Sequence, residues 1–140
     1  MGMTILLYII AGTYNFSILI FSKFFQNQLF DKYDAEHFSF HGIISILLWG
    51  LAYMSISKIY QKVPYLNLVF AVEKFYYFWV WMKWMKSNSY QLGSMLSEDP
   101  LNGLFFTVYG IGDLLFGLAF LTIGLSTLAA DDSEKNEKKK

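Results

Sequence analysis

Apolar residues along this chain gather into four blocks, residues 3–25, 40–59, 64–84 and 101–129. A hydrocarbon core about 30 Å thick is crossed by roughly 20 apolar residues wound as a helix, and each block reaches that length. Spanning strands alternate apolar and polar positions, and these blocks do not. In lipid the backbone must satisfy its own hydrogen bonds, so an apolar block of this kind is expected to be helical. The pattern therefore predicts an all-α integral membrane protein. Its expected form is a four-helix transmembrane bundle, up-down-up-down, over residues 1–129. A charged, apolar-free tail over 130–140 is expected to be disordered.

Polar punctuation agrees with these blocks. Ser39 stands where an N-cap would open the second, Pro64 fits the first turn of the third, and Asp99-Pro100 supplies a cap followed by proline for the fourth. The link from Ile59 to Pro64 is short, so the second and third helices should form an antiparallel hairpin. The longer connections, residues 26–39 and 85–99, then fall on the opposite side of the bilayer. No Lys or Arg precedes the first block and no Ala-x-Ala site follows it, so it reads as a retained span rather than a cleaved leader.

Composition sharpens this picture. Of 140 residues, 55% are hydrophobic and 20% aromatic. Charged residues make up 16%, against about 25% in an ordinary soluble domain. There is no cysteine, which removes disulfides and thiolate chemistry. Every basic residue except the two histidines is lysine, so bidentate Arg forks are absent, and a net charge of zero gives no case for nucleic acid. Lys58, Lys62, Lys135, Lys138, Lys139 and Lys140 share the side that holds both termini, while Lys23, Lys32, Lys83 and Lys86 lie on the other. This bias puts both termini in the cytoplasm, and the compact chain with minimal loops is read as a bacterial inner-membrane protein.

The fourth block has the sharpest repeat. Gly103, Gly110, Gly117 and Gly124 recur every seven residues, on one helix face where small side chains let a neighbouring backbone approach. Asp113 lies on that same face and should point into the bundle. Inward stripes are expected at Tyr8, Gly12, Asn15, Leu19 and Ser22, at Gly42, Ser45, Trp49, Ala52 and Ile56, and at Leu66, Val69, Glu73, Tyr76 and Val80. Asn15, Glu73 and Asp113 fall near the middle of their blocks. A charge at that depth costs at least ~2.5–3.5 kcal/mol, so they need partners. Lys74 would meet Asp113 if the third helix is rotated suitably, and Trp49, Tyr77 and Tyr109 would wall a cavity.

Three uses compete for this cluster: helix registration, binding of a small apolar ligand, and proton transfer by paired carboxylates. The leading reading is non-enzymatic, a protein that binds a small apolar molecule or acts as an accessory subunit toward a membrane partner or a second copy of itself. The alternative is a membrane enzyme or proton-coupled carrier using Glu73 and Asp113. No cofactor is predicted. No metal site is predicted; His37 and His41 would share a face for one only if residues 36–41 are helical. The run Phe75–Trp84 reads as an interfacial aromatic belt with Lys83 and Lys86 reaching the headgroups. Phosphate loops, nucleophile elbows and His-Glu-x-x-His are missing.

Overall fold

The computed structural model of the chain describes residues 2–137. Every regular element among them is helical. In order they are α1 (Met3–Phe16), α2 (Ile18–Phe21), α3 (Gln28–Asp34), α4 (Phe40–Ile56), α5 (Pro64–Asn88), α6 (Leu92–Glu98) and α7 (Pro100–Glu137), with single 3-10 turns at Tyr60–Lys62 and Ser89–Gln91.

Helix ends follow local chemistry. The Ser39 hydroxyl accepts from Gly42 N at 3.2 Å and opens α4. Pro64 begins α5. Asp99 Oδ1 accepts from Asn102 N at 3.3 Å, which caps α7 through its third residue. Ser17 separates α1 from α2 by a local shift, its N–H shared between Thr13 O and Tyr14 O at 3.0 and 3.2 Å.

Several elements differ from the apolar blocks. The first helix stops at Phe21, because Lys23, Phe24 and Phe25 take positive φ angles of 50°, 53° and 68°. Apolar side chains at 24 and 25 extend the hydropathy block without extending the helix. The second stops at Ile56, where Ser57 turns its hydroxyl back to Met54 O at 2.8 Å. The third runs past Trp84 to Asn88, whose amide returns to Trp84 O at 3.1 Å. Both long connections carry helices of their own, α3 and α6. The last helix continues beyond Ala129 to Glu137. Asp131 precedes Lys135 by one turn, the order that favours an exposed helix, and Lys135 complements the helix dipole. The expectation for the tail's last three lysines, Lys138 to Lys140, lies outside the described residues.

Two helical stretches are long and apolar enough to cross a membrane, Met3–Phe21 and Pro100–Glu137. Only 28% and 39% of the residues in their most apolar windows are buried, so most of those residues are at least partly exposed. Phe40–Ile56 is apolar but has 17 residues. Pro64–Asn88 has 25 residues, but Glu73, Lys74, Lys83, Lys86 and its tyrosines and tryptophans dilute its apolar content. The four-span expectation thus stands at two spans by length and composition.

The chain divides into two compact units, Met1–Lys58 with Tyr90–Thr107, and Ile59–Ser89 with Val108–Lys140. In the first, α1 crosses α4 where two glycines meet: a Cβ on Gly12 would stand 2.8 Å from Gly50 O. Phe30, Phe38, Phe105 and Phe106 form its aromatic core, each at most 7% exposed. In the second, α5 packs on α7 along a seven-residue seam. Gly110, Gly117 and Gly124 alternate there with the buried Asp113 and Phe120, and Phe70 meets Phe120 edge-on at 5.5 Å.

Candidate functional site

The polar feature of the second unit is a buried ion pair. Lys74 Nζ lies 2.8 Å from Asp113 Oδ1, and the two residues are 2% and 5% exposed. α5 supplies the ammonium and α7 the carboxylate. Asp113 sits three residues after Gly110 and four before Gly117, so it shares the close-packed face of α7. A Cβ on Gly117 would stand 3.3 Å from Lys74 Cβ and closer still to the Phe75 ring. At Gly110 it would fall inside the Trp81 side chain. A Cβ on Gly124 would meet Leu68 at 2.7 Å and Pro64 O at 3.3 Å. In the first unit, Gly103 faces Leu96 Cα at 2.8 Å from its would-be Cβ. The absence of side chains at these positions is what lets the facing groups approach.

Glu73 and Tyr109 are also buried in the second unit, and Tyr77 is half-buried one helical turn after Glu73. Among the described residues, its core holds two carboxylates, Glu73 and Asp113, and one ammonium, Lys74. The pair can fix the rotation and register of α5 on α7, because an ionised bond at this distance in a water-poor setting is highly directional. The inward stripe of α5 is the expected one only in part: Glu73 and Val80 are buried and Leu66 is half-buried. Val69 and Tyr76 are 47% and 48% exposed, whereas Asn67, Phe70, Ala71 and Lys74 are buried. Rotating the helix to present Lys74 to Asp113 moves Val69 and Tyr76 outward.

Asn15 belongs to the first unit. Its amide donates to Ile46 O at 2.9 Å and ties α1 to α4 beside the Gly12–Gly50 crossing. Tyr8, Gly12 and Ser22 of its stripe are buried with it, and Ile18 takes the place expected for Leu19. On α4 the buried positions are Ile43, Ile46, Gly50, Tyr53 and Ile56. Of the expected stripe only Ile56 is among them. Trp49 is half-buried and, with Ser45 and Leu48, lines an open depression of about 290 Å³ in the first unit. Trp49 thus belongs to the first unit, and Lys74 with Asp113 to the second.

His37 precedes α4 in a turn, so it and His41 do not share a helical face. Its Nδ1 lies 2.9 Å from Asp34 Oδ1, while His41 is exposed. Among the described residues no group of three or more His, Asp or Glu side chains is placed to hold a metal. In the aromatic run, Lys83 Nζ stands 4.5 Å above the Trp79 ring, whereas Trp84 is 6% exposed and Trp81 packs at Gly110.

A second polar network lies in the first unit and has no counterpart in the sequence reading. Asn27 Nδ2 donates to Asn102 Oδ1 at 2.8 Å, Asn102 Nδ2 to Asp99 Oδ2 at 3.1 Å, and Lys23 Nζ to the same Asp99 oxygen at 2.8 Å. The hydrogen bond from Lys23 holds the Asp99 carboxyl below its usual range, with the backbone N–H groups of Asn102 and Leu101 assisting. Asn27 and Asn102 lie near block ends, where an amide reads as loop punctuation, and 75 residues separate them.

No protein-family model, curated protein or solved structure matches this chain.

Proposed function

We propose that this chain is an integral membrane protein that serves as a non-catalytic accessory or assembly subunit, with the Lys74–Asp113 pair as its registering device. The carrying observation is that pair: it is buried, 2.8 Å long, and set against the glycine face of α7. With Asp113 engaged by Lys74 and the seam filled by Trp81 and Phe75, the arrangement favours helix registration over acid–base chemistry. A long helix in the core of a soluble protein is mostly buried. The outward-facing apolar surface of Met3–Phe21 and Pro100–Glu137 supports lipid as their surroundings instead.

In this reading α4 and α5 also cross, giving four spans, up-down-up-down. α4 is short for a full crossing, and a tilted or locally thinned bilayer accommodates such a helix at modest cost. α5 carries Glu73 and Lys74 inward, Lys74 paired with Asp113, and leaves Lys83 and Lys86 exposed toward its end. Both termini then lie in the cytoplasm of a bacterial-type inner membrane, the orientation favoured by the lysine bias. The outward aromatic and aliphatic surface meets lipid or a partner's helices.

Native mass spectrometry of the protein extracted in mild detergent tests the role. A retained partner protein or homo-oligomer, weakened in Asp113→Asn, is expected. A retained small-molecule mass, lost in Asp113→Asn, would replace the assembly role with ligand binding. A bare monomer would end the proposal.

A further inference from the structure

The turn that ends α2 does more than stop a helix. Phe24 N donates to Leu19 O at 2.8 Å and Lys23 N to Ile20 O at 3.1 Å, the paired bonds of a helix C-terminus closed through a left-handed residue. Lys23 stands at the position where glycine is usual. That closure needs one left-handed residue, yet Phe24 and Phe25 continue the left-handed path, and a second closure follows from Asn27 N to Ser22 O at 3.0 Å. Left-handed backbone is costly for any residue with a Cβ, and a run of it persists only where its surroundings enforce it.

Two amides and an ion pair hold this turn. Asn27 Nδ2 reaches both Phe21 O and Asn102 Oδ1, each at 2.8 Å. Asn102 is fully buried and bonded to Asp99, which also holds Lys23. Beyond this network the chain lays Phe30 and Phe38 on Phe105 and Phe106, with ring centroids 5.1 to 5.8 Å apart.

We propose that residues 23–38 form a sprung strap. The left-handed turn is its hinge, the Asn27–Asn102–Asp99–Lys23 network is its latch, and its release uncovers Phe105 and Phe106 at the start of α7. Hinge strain favours opening, while the latch and the packed rings, tilted or edge-on to one another, oppose it. Opposed contributions of this kind let one segment open while the rest of the fold stays closed.

Hydrogen exchange of the full chain in detergent, read by mass spectrometry, tests the strap with two variants of opposite expected sign. Asn102→Ala removes the latch, so amides of residues 23–38 should exchange roughly tenfold faster, with α1 and residues 111–125 unchanged. Phe24→Gly relieves the hinge, so the same strap amides should exchange roughly fivefold slower. Exchange in Phe24→Gly at or above the wild-type rate would overturn the proposal. So would an Asn102→Ala variant in which every helix accelerates alike.

Discussion

Lys74 is a residue whose neighbours decide its worth. Removing it alone leaves Asp113 buried without its counter-charge, and that loss typically costs about 3–5 kcal/mol. Replacing both partners by apolar residues of similar volume is often neutral. Lys74→Met should therefore lower stability strongly, and Lys74→Met with Asp113→Leu should recover most of it. Reversible unfolding in mixed micelles, followed by circular dichroism, measures both. A double variant no better than the single one would mean that the pair does more than register α5 on α7.

At the other end of the chain's charge scale, Lys23 is half-exposed and Asp99 nearly covered, at 52% and 13% of their side chains. The folded-state pKa of Asp99 is depressed below 3.8, so its contribution is present above that value and lost as pH falls through the folded pKa. With Lys23 open to solvent the charge term is worth no more than ~1 kcal/mol. Asp99→Asn should accordingly flatten the acid limb of the stability curve below about pH 4 and leave the neutral limb lowered by a similar small amount. Unfolding measured from pH 3 to 7 checks this, and an unchanged acid limb would remove Asp99 as the titrating group.

At the scale of elements, the glycine seam of α7 makes a graded prediction. Gly110 faces the Trp81 ring and Gly103 a backbone atom, Leu96 Cα, whereas Gly124 faces the movable end of Leu68. Crowding a packed seam typically costs about 1–3 kcal/mol. Gly110→Ala and Gly103→Ala should sit at the upper end and Gly124→Ala at the lower. Ile111→Ala, on the 49% exposed outer face, should change stability by no more than ~0.5 kcal/mol. A flat series in the same micelle assay would show that the seam yields as a whole. Helix starts were readable because capping is local: Ser39, Pro64 and Asp99-Pro100 act within one turn. The end of the first helix was not, because Phe24 and Phe25 carry the hydropathy of a span while their backbone turns left-handed.

For the whole molecule, the proposed topology is open to a labelling test that the cysteine-free sequence makes simple. Gln26 and Gln61 are both exposed and lie in different connections. With both termini cytoplasmic, an impermeant thiol reagent added outside the cell should label Gln26→Cys and spare Gln61→Cys. The reverse pattern would invert the orientation, and equal labelling would break the four-span proposal.

The helical class, the apolar blocks, most helix starts and the face of α7 that bears Gly110, Asp113 and Gly117 were legible before any packing was known. These are set by periodicity and by contacts within a turn. The rotation of α4 and α5 came from the folded structure alone. Hydropathy around them is nearly even, so no stripe stands out until Gly50 meets Gly12 and Lys74 meets Asp113. That structure alone placed Asn15 against the α4 backbone, assigned Trp49 to the first unit, and joined Asn27 to Asn102. A hydrogen bond between side chains 75 residues apart leaves no local trace, because neither amide needs the other until the chain has folded.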